Sequence, residues 1–272
     1  MILSNYHTHT LYCDGRSTVE EHVKRALELG FHSLGFSGHG YVPYTGVYYG
    51  MTPDVAVKYR NDVKIAKIHY AGRLNIFLGL ENDSVNLQST DGYDYTIGSV
   101  HNIKCGGRYY SVDSHADTVA RAIAREFGGD GLAYAQAYYD AVYDFTSVKR
   151  ADILGHIDLV RRFNEGGGPF FDENSGQYRS CAGRALEMAV RSGYYIEVST
   201  APIFKQISDE TYPANFLLRL AKELGARVIV NSDAHRAQYL GFAFDKAEAA
   251  LRAAGFAERW ELTPDGFAPV EL

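Results

Sequence analysis

Only three cysteines, Cys13, Cys105 and Cys181, occur in 272 residues, far apart and never as Cys-x-x-Cys. That spacing argues against a disulfide framework or a thiolate zinc knuckle, and the three read as reduced thiols. Cys13 stands within reach of His7 and His9 and could be a ligand, but it is read as a small buried apolar residue. No basic run occurs and the formal charge is −6. A nucleic-acid backbone or an anionic membrane is therefore a poor partner for the surface as a whole, and any anion site must be local. No stretch reaches the roughly 18 apolar residues that span a bilayer. Met1-Ile2-Leu3 lacks the basic start of a signal peptide, so the cytoplasm is the expected compartment. Neither a fixed-period repeat nor a Pro- or Ser-rich linker divides the chain. One domain over 1–272 is expected, since barrels of alternating strands and helices often run to about 250 residues.

What is present is a hydrophobic content of 46% against 22% charged residues, with 27 glycines for turns. This is the composition of an ordered globular protein. Short β-rich runs alternate with amphipathic helices, the pattern of parallel strands joined by helical crossovers. Strands are expected at Ile2 to Tyr6, Ser33 to Ser37, Asn75 to Leu80, Tyr95 to Val100, Asp152 to Gly155, Tyr194 to Val198 and Arg227 to Asn231. In the first helix Ser17 or Thr18 caps, Glu20 or Glu21 completes a capping box, and Gly30 stops it. Val23, Ala26 and Leu27 should face inward. Residues 102–150 read as an elaborated helical crossover, a loop and then two helices. The second carries Tyr134, Tyr138, Tyr139 and Tyr143 at helical spacing, a packing face.

The polar residues are informative by position. "YHTH" closes the first apolar run, "GFSGHG" the second, "FLGLEND" the third, "TIGSVHN" the fourth, "ILGHID" the fifth and "VIVNSDAH" the last. In a barrel of parallel strands the carboxyl ends meet at one face, where active sites sit. His7, His9, His39, Glu81, His101, His156, Asp233 and His235 should converge there, with Asp14 on the first loop beside them. A single histidine at a strand end is ordinarily a hydrogen-bonded structural residue. So many together repel when protonated and compete for donors when neutral, whereas a divalent cation uses their lone pairs. His7 and His9, at i and i+2 of a strand, point to one side and can grip one ion. Asp233 and His235 form a second such pair, although a turn at the strand end can aim them at different ions. His22, His32, His69 and His115 lie away from the strand ends and read as surface or core residues. Asp83, two residues past Glu81, could also reach the mouth, but it reads as a solvated loop carboxylate. Asp158 is placed to orient His156 from behind.

The segments "HTHTLYCDG", "GFSGHG", "GLEND", "YDYTIGSVHN", "ILGHIDLVRRF" and "NSDAHRAQYLGFAFDKAEAALRAAGF" resemble the PHP family of phosphoesterases, in its histidinol-phosphatase branch, over essentially the whole chain. The resemblance implies an α/β fold, a distorted barrel of seven strand-helix units with the metal site at the carboxyl ends of the strands. It also implies three divalent ions, some mixture of zinc, iron and manganese. One would take His7, His9, Glu81 and Asp233; the second would share Glu81 and add His101 and His156; the third would take Asp14, His39 and His235. The activity implied is hydrolysis of L-histidinol phosphate to L-histidinol and phosphate, within histidine synthesis. Three divalent ions at about +6 against three carboxylates at about −3 leave a surplus that suits a phosphate monoester near −2. Clustered metals can both generate a nucleophile and neutralise the transferring group.

Arg161 and Arg162, directly after "GHIDLV", are the candidate phosphate contacts, since arginine offers a planar two-pronged grip. One segment departs from the family pattern. "YYIEVSTAPIFK" places Ser199 where relatives often carry asparagine and Phe204 where they carry arginine. Lys205 can stand in as a point charge without the bidentate geometry. Rival readings are a phosphatase of another small or sugar phosphate or of tyrosine phosphate, a metal-dependent amide hydrolase, and a noncatalytic metal-stabilised module. The amide hydrolase expects a lysine ligand at a strand end, and none is found. A noncatalytic module expects eroded ligands, yet all nine positions are filled.

Overall fold

A computed structural model describes residues 1–44, 50–164 and 170–272. The chain opens with β1 (Ser4–Asn5), α1 (Val19–Glu28), β2 (Ser33–Phe36), α2 (Pro53–His69), β3 (Asn75–Asp83) and β4 (Tyr95–Ser99). A hairpin of β5 (Asn102–Cys105) and β6 (Arg108–Ser111) follows, then α3 (Ala116–Glu126) and α4 (Gly131–Thr146). Next come β7 (Ile153–Leu154), α5 (Gly176–Arg191), β8 (Tyr195–Ser199), α6 (Ala201–Phe204), α7 (Asn215–Glu223), β9 (Arg227–Asn231) and α8 (Phe244–Ala253). The chain ends in an antiparallel hairpin, β10 (Glu258–Thr263) and β11 (Gly266–Glu271).

Seven strands form one sheet in the order β1-β2-β3-β4-β7-β8-β9, every neighbour parallel. All seven expected strands are in it. The two ends of the sheet meet just beyond β1 and β9, where Thr8 bridges Ala234. There the His9 N–H donates to the Ala234 carbonyl at 2.9 Å, and the Ala234 N–H to the His7 carbonyl at 3.1 Å. The backbone pairing that joins the barrel thus lies at the level of the strand-end histidines, and just below it side chains tie β1 to β9, the Tyr6 N–H donating to Asn231 Oδ1 at 2.8 Å.

The strands are buried along nearly their whole length, as parallel strands covered by helices must be. Residues two apart share a face. Up the inside of β3 this gives Phe77, Gly79, Glu81 and Asp83. A side chain at Gly79 would collide with the Tyr95 ring, so its absence makes room for that ring inside the barrel. Tyr6, Phe77, Tyr95, Ile97, Ile153, Tyr195, Ile229 and Leu262 fill the lower half as an apolar floor. Only the upper half is left for polar groups.

The terminal hairpin was not anticipated, because its strands fall outside the alternating strand-helix pattern. It seals the floor: Leu262 joins the apolar cluster, with Trp260 and Phe267 against it, and the Tyr6 hydroxyl donates to the Leu262 carbonyl at 3.0 Å. The expected loop after His101 is likewise a hairpin, β5–β6, ahead of the two expected helices. In α1 the capping box forms between Thr18 and Glu21. Its inward face is Val19, His22, Val23 and Ala26, with Leu27 only half-buried. The tyrosines of α4 pack as expected: Tyr134, Tyr138 and Tyr139 are buried, and the Tyr139 and Tyr178 hydroxyls lie 2.8 Å apart. Among the described residues no helix is long and apolar enough to cross a membrane.

Candidate metal centre

Glu81 is third in the inward row of β3, before Asp83, and sits at the middle of the upper barrel, fully buried. Its Oε2 lies 2.9 Å from His39 Nδ1, 3.2 Å from His7 Nε2 and 3.4 Å from His9 Nε2. Its Oε1 lies 3.2 Å from His156 Nε2 and 3.4 Å from His101 Nε2, and accepts from Ser99 Oγ at 2.6 Å. Asp233 Oδ1 closes the other side, 3.2 Å from His9 Nε2 and 3.6 Å from His7 Nε2. Asp233 takes a left-handed backbone, φ 50°, which aspartate tolerates better than most residues. This turn sends Asp233 to the inner histidines and His235 outward. Asp14 then meets His235 Nε2 at 3.2 Å, His39 Nε2 at 3.6 Å and His9 Nδ1 at 3.9 Å.

Four sets of donor atoms lie within 4.8 Å of one another: His7, His9 and Asp233; His7, Glu81 and His156; His39, Glu81 and His101; His9, Asp14, His39 and His235. All nine strand-end residues are therefore brought together. The partition differs in detail from the three-way one, because His39 also faces Glu81 and His9 also joins the outer set.

Whether this constellation fits a cation can be judged from its buried polar atoms. His7 Nε2, His9 Nε2 and Glu81 Oε2 are inaccessible and have no hydrogen-bond partner. Buried polar groups normally find partners. Once deprotonated, all three present lone pairs to one another, and a positive ion in their midst would satisfy them together. Oxygen and imidazole nitrogen also suit zinc, iron or manganese.

Electrostatics agree. Burial lowers His7, but Glu197, Glu81 and Asp233 outweigh it and hold the imidazole well above its usual range. His101 is raised against burial by Glu81 and Asp83, and His39 by Glu81 and Asp14. His9 is lowered to about 3 by burial and by His235 and His39. Burial raises Glu81, but His7, His39 and His101 hold it well below the usual carboxylate range. Without a cation, protonated imidazoles balance the carboxylates. A divalent ion competes for the same nitrogens, so its binding must release protons.

A model of the PHP domain matches residues 5–201. The chain belongs to the PHP domain family. Over 263 residues, 93% of this chain and 94% of the relative, it is 28% identical to a Deinococcus radiodurans protein named "Probable histidinol-phosphatase". It is 26% identical to the histidinol-phosphatase of Bacillus subtilis over 260 residues, covering 88% of this chain and 96% of that one. A crystal structure of histidinol phosphate phosphatase from Lactococcus lactis, complexed with zinc, L-histidinol and phosphate, superposes with a TM-score of 0.77. That likeness covers 97% of this chain and 98% of the other at 19% identity, and it shows that the fold is shared.

Two residues of this PHP chain that sequence reasoning missed hold the histidines in place. Glu197, fully buried, accepts from His7 Nδ1 at 2.7 Å, from Asn231 Nδ2 at 2.9 Å and from the His156 backbone N–H at 2.8 Å. Asp83 is buried, not solvated. It faces His101 Nδ1 at 3.1 Å and accepts from Asn102 at 3.0 Å. A carboxylate on Nδ1 fixes the ring so that Nε2 points into the centre. Replacing Glu197 by glutamine should weaken divalent-cation affinity by about 10- to 100-fold, read by competition with a chromogenic chelator. An unchanged affinity would remove Glu197 from this role.

Other expectations need correction. Asp158 does not orient His156: its Oδ2 accepts from the Ala214 N–H at 2.8 Å and from Arg161 at 3.2 Å. Burial raises Asp158 to about 6, against the pull of Arg161. Nor is Arg161 a free phosphate contact. It is buried, with its guanidinium 2.5 Å from Glu173, 3.2 Å from Asp158 and 3.7 Å from Glu210. Arg162 has a buried Nε without a hydrogen-bond partner and, among the described residues, forms no ion pair. Lys205 does reach the centre, its Nζ 3.1 Å from Asp233 Oδ2. Cys13 Sγ lies 3.5 Å from His9 Nδ1, on the ring edge away from Glu81. Burial and the nearby Asp14 push its thiol up to about 12, so it stays protonated.

Proposed function

We propose that this chain is a metal-dependent phosphomonoesterase that hydrolyses L-histidinol phosphate to L-histidinol and phosphate in the cytoplasm. The observation that carries the proposal is the trio of buried, partnerless acceptor atoms on His7, His9 and Glu81, in a chain whose curated relatives bear the histidinol-phosphatase name. In this reading three divalent ions are held. His7, His9, Glu81 and Asp233 hold one, Glu81 with His101 and His156 a second, and Asp14, His39 and His235 a third. Zinc, iron and manganese are the candidates. Bound there, such ions supply the Lewis acidity that activates an attacking water and offsets charge on the phosphoryl oxygens.

The chain's own residues do the rest. Glu197 and Asp83 hold His7 and His101 by their Nδ1 atoms, and Ser99 holds Glu81. The donor set is thereby arranged before a substrate arrives. The inner histidines are buried, whereas the Asp14 and His235 side chains are 39% and 24% exposed, so the small phosphorylated substrate enters on their side. Lys205 on Asp233 provides positive charge at that mouth, and Arg162 is the arginine assigned to the phosphate. The three free thiols accord with a reducing compartment.

The test pairs elemental analysis of the purified protein with phosphate release from histidinol phosphate before and after chelation. About three equivalents of transition metal, turnover lost on chelation and regained on metal return are expected. A metal-loaded protein that releases no phosphate, or a stripped one that keeps its rate, would end the proposal.

A further inference from the structure

We propose that Phe204 and Tyr239 form a leaving-group subsite for the alcohol portion of a phosphomonoester that carries a flat aromatic or heteroaromatic ring. This rests on the phosphatase reading and adds to it the residues that determine specificity for the ring. Phe204 ends α6, just past β8, and Tyr239 lies in a single helical turn, Ala237–Tyr239, just past β9. Both segments leave the barrel on the metal side. One ammonium ties them to the centre: Lys205 Nζ is 3.1 Å from Asp233 Oδ2 and 5.6 Å from the middle of the Phe204 ring.

The two rings are stacked, centroids 4.5 Å apart and planes at 9°, while Phe242 meets both edge-on at 6.1 Å. Such a trio is stiff, because stacked and edge-to-face contacts each fix a geometry. It is anchored from one side only. Tyr239 leans on the main hydrophobic core, whereas Phe204 and Phe242 belong to neither buried cluster. Phe242 is 44% exposed and Phe204 partly so. Phe204 and Phe242 thus lie outside both buried clusters and, through Lys205, beside the buried polar centre, a placement that suits a ligand-facing wall.

The division of labour follows from chemistry. The donor atoms of the centre are turned toward one another and toward a cation, and an aromatic wall offers little to a phosphoryl group. A monoester with one end of each kind matches both. A phenylalanine here also removes the bidentate cation that resemblance to relatives leads one to expect, so recognition shifts from the phosphate end toward the ring end.

The test compares wild type with Phe204→Ala and Phe204→Trp, all metal-loaded and matched in metal content by elemental analysis. Specificity constants are measured for histidinol phosphate and for the ringless glycerol phosphate. The ratio of the two should fall about tenfold in the alanine variant, chiefly through the Michaelis constant of the ring ester, and recover with tryptophan. Calorimetric binding of L-histidinol should weaken to a similar degree. Parallel changes for both esters, or an unchanged ratio, would overturn the subsite. If wild type cleaves neither ester the phosphatase reading falls, and histidinol binding by the two variants still decides whether the wall holds a ring.

Discussion

Changing Glu81 to glutamine should strip the centre of most of its metal and lower phosphate release by about 1000-fold, the upper range for removing one preorganised electrostatic group. One carboxylate faces five imidazoles: His7, His9 and His39 on one oxygen, His101 and His156 on the other. Glutamine keeps the shape but loses the charge, and its N–H stands where a cation would need a lone pair. His7, His39 and His101 would no longer be held as far above their usual range, because Glu81 is a leading cause of each shift. The fold should persist, since the apolar floor lies below this level. Elemental analysis, circular dichroism and steady-state rates would check all three parts. A variant within tenfold of wild-type rate would show that Glu81 is not the shared hub.

Arg161→Ala should damage stability and leave the Michaelis constant for histidinol phosphate unchanged, the reverse of what its position after "GHIDLV" suggests. Three carboxylates, Asp158, Glu173 and Glu210, surround the buried guanidinium. Removing one partner of a buried ion pair costs about 3–5 kcal/mol, because Asp158 would be left buried without its cation. For a chain of this size that corresponds to a melting point lower by about 10 °C. Thermal unfolding and initial rates measured at a temperature where the variant is folded would separate the two effects. A raised Michaelis constant with unaltered melting would return Arg161 to the phosphate.

Eight of the nine candidate ligands were legible because each closes an apolar run, and a parallel barrel sends all such ends to one face, with Asp14 on the first loop beside them. The strands were legible for a related reason: buried on both sides, they are nearly continuous apolar segments. Glu197 was readable and missed. It stands between Tyr195 and Ser199 in the two-residue period of β8, so its side chain had to point inside the barrel, where an unpaired carboxylate is costly. Asp83 carried a weaker sign, being two residues past Glu81 on a strand that runs three residues longer than expected. The surroundings of Arg161 could not be read, because Glu173 and Glu210 come from segments whose spacing shows no period linking them to it. The terminal hairpin escaped for want of a helix between its strands.

Tyr6 hangs from the last stretch of the chain by its hydroxyl, takes the Tyr95 hydroxyl on its carbonyl and gives its amide to Asn231. The very next residue is His7. Far in sequence from every putting-together of nitrogen and oxygen described above, the closing residues thus act as a foundation stone: clipping them away would loosen the first imidazole from beneath, and damage at the base of the molecule would be felt at its chemistry.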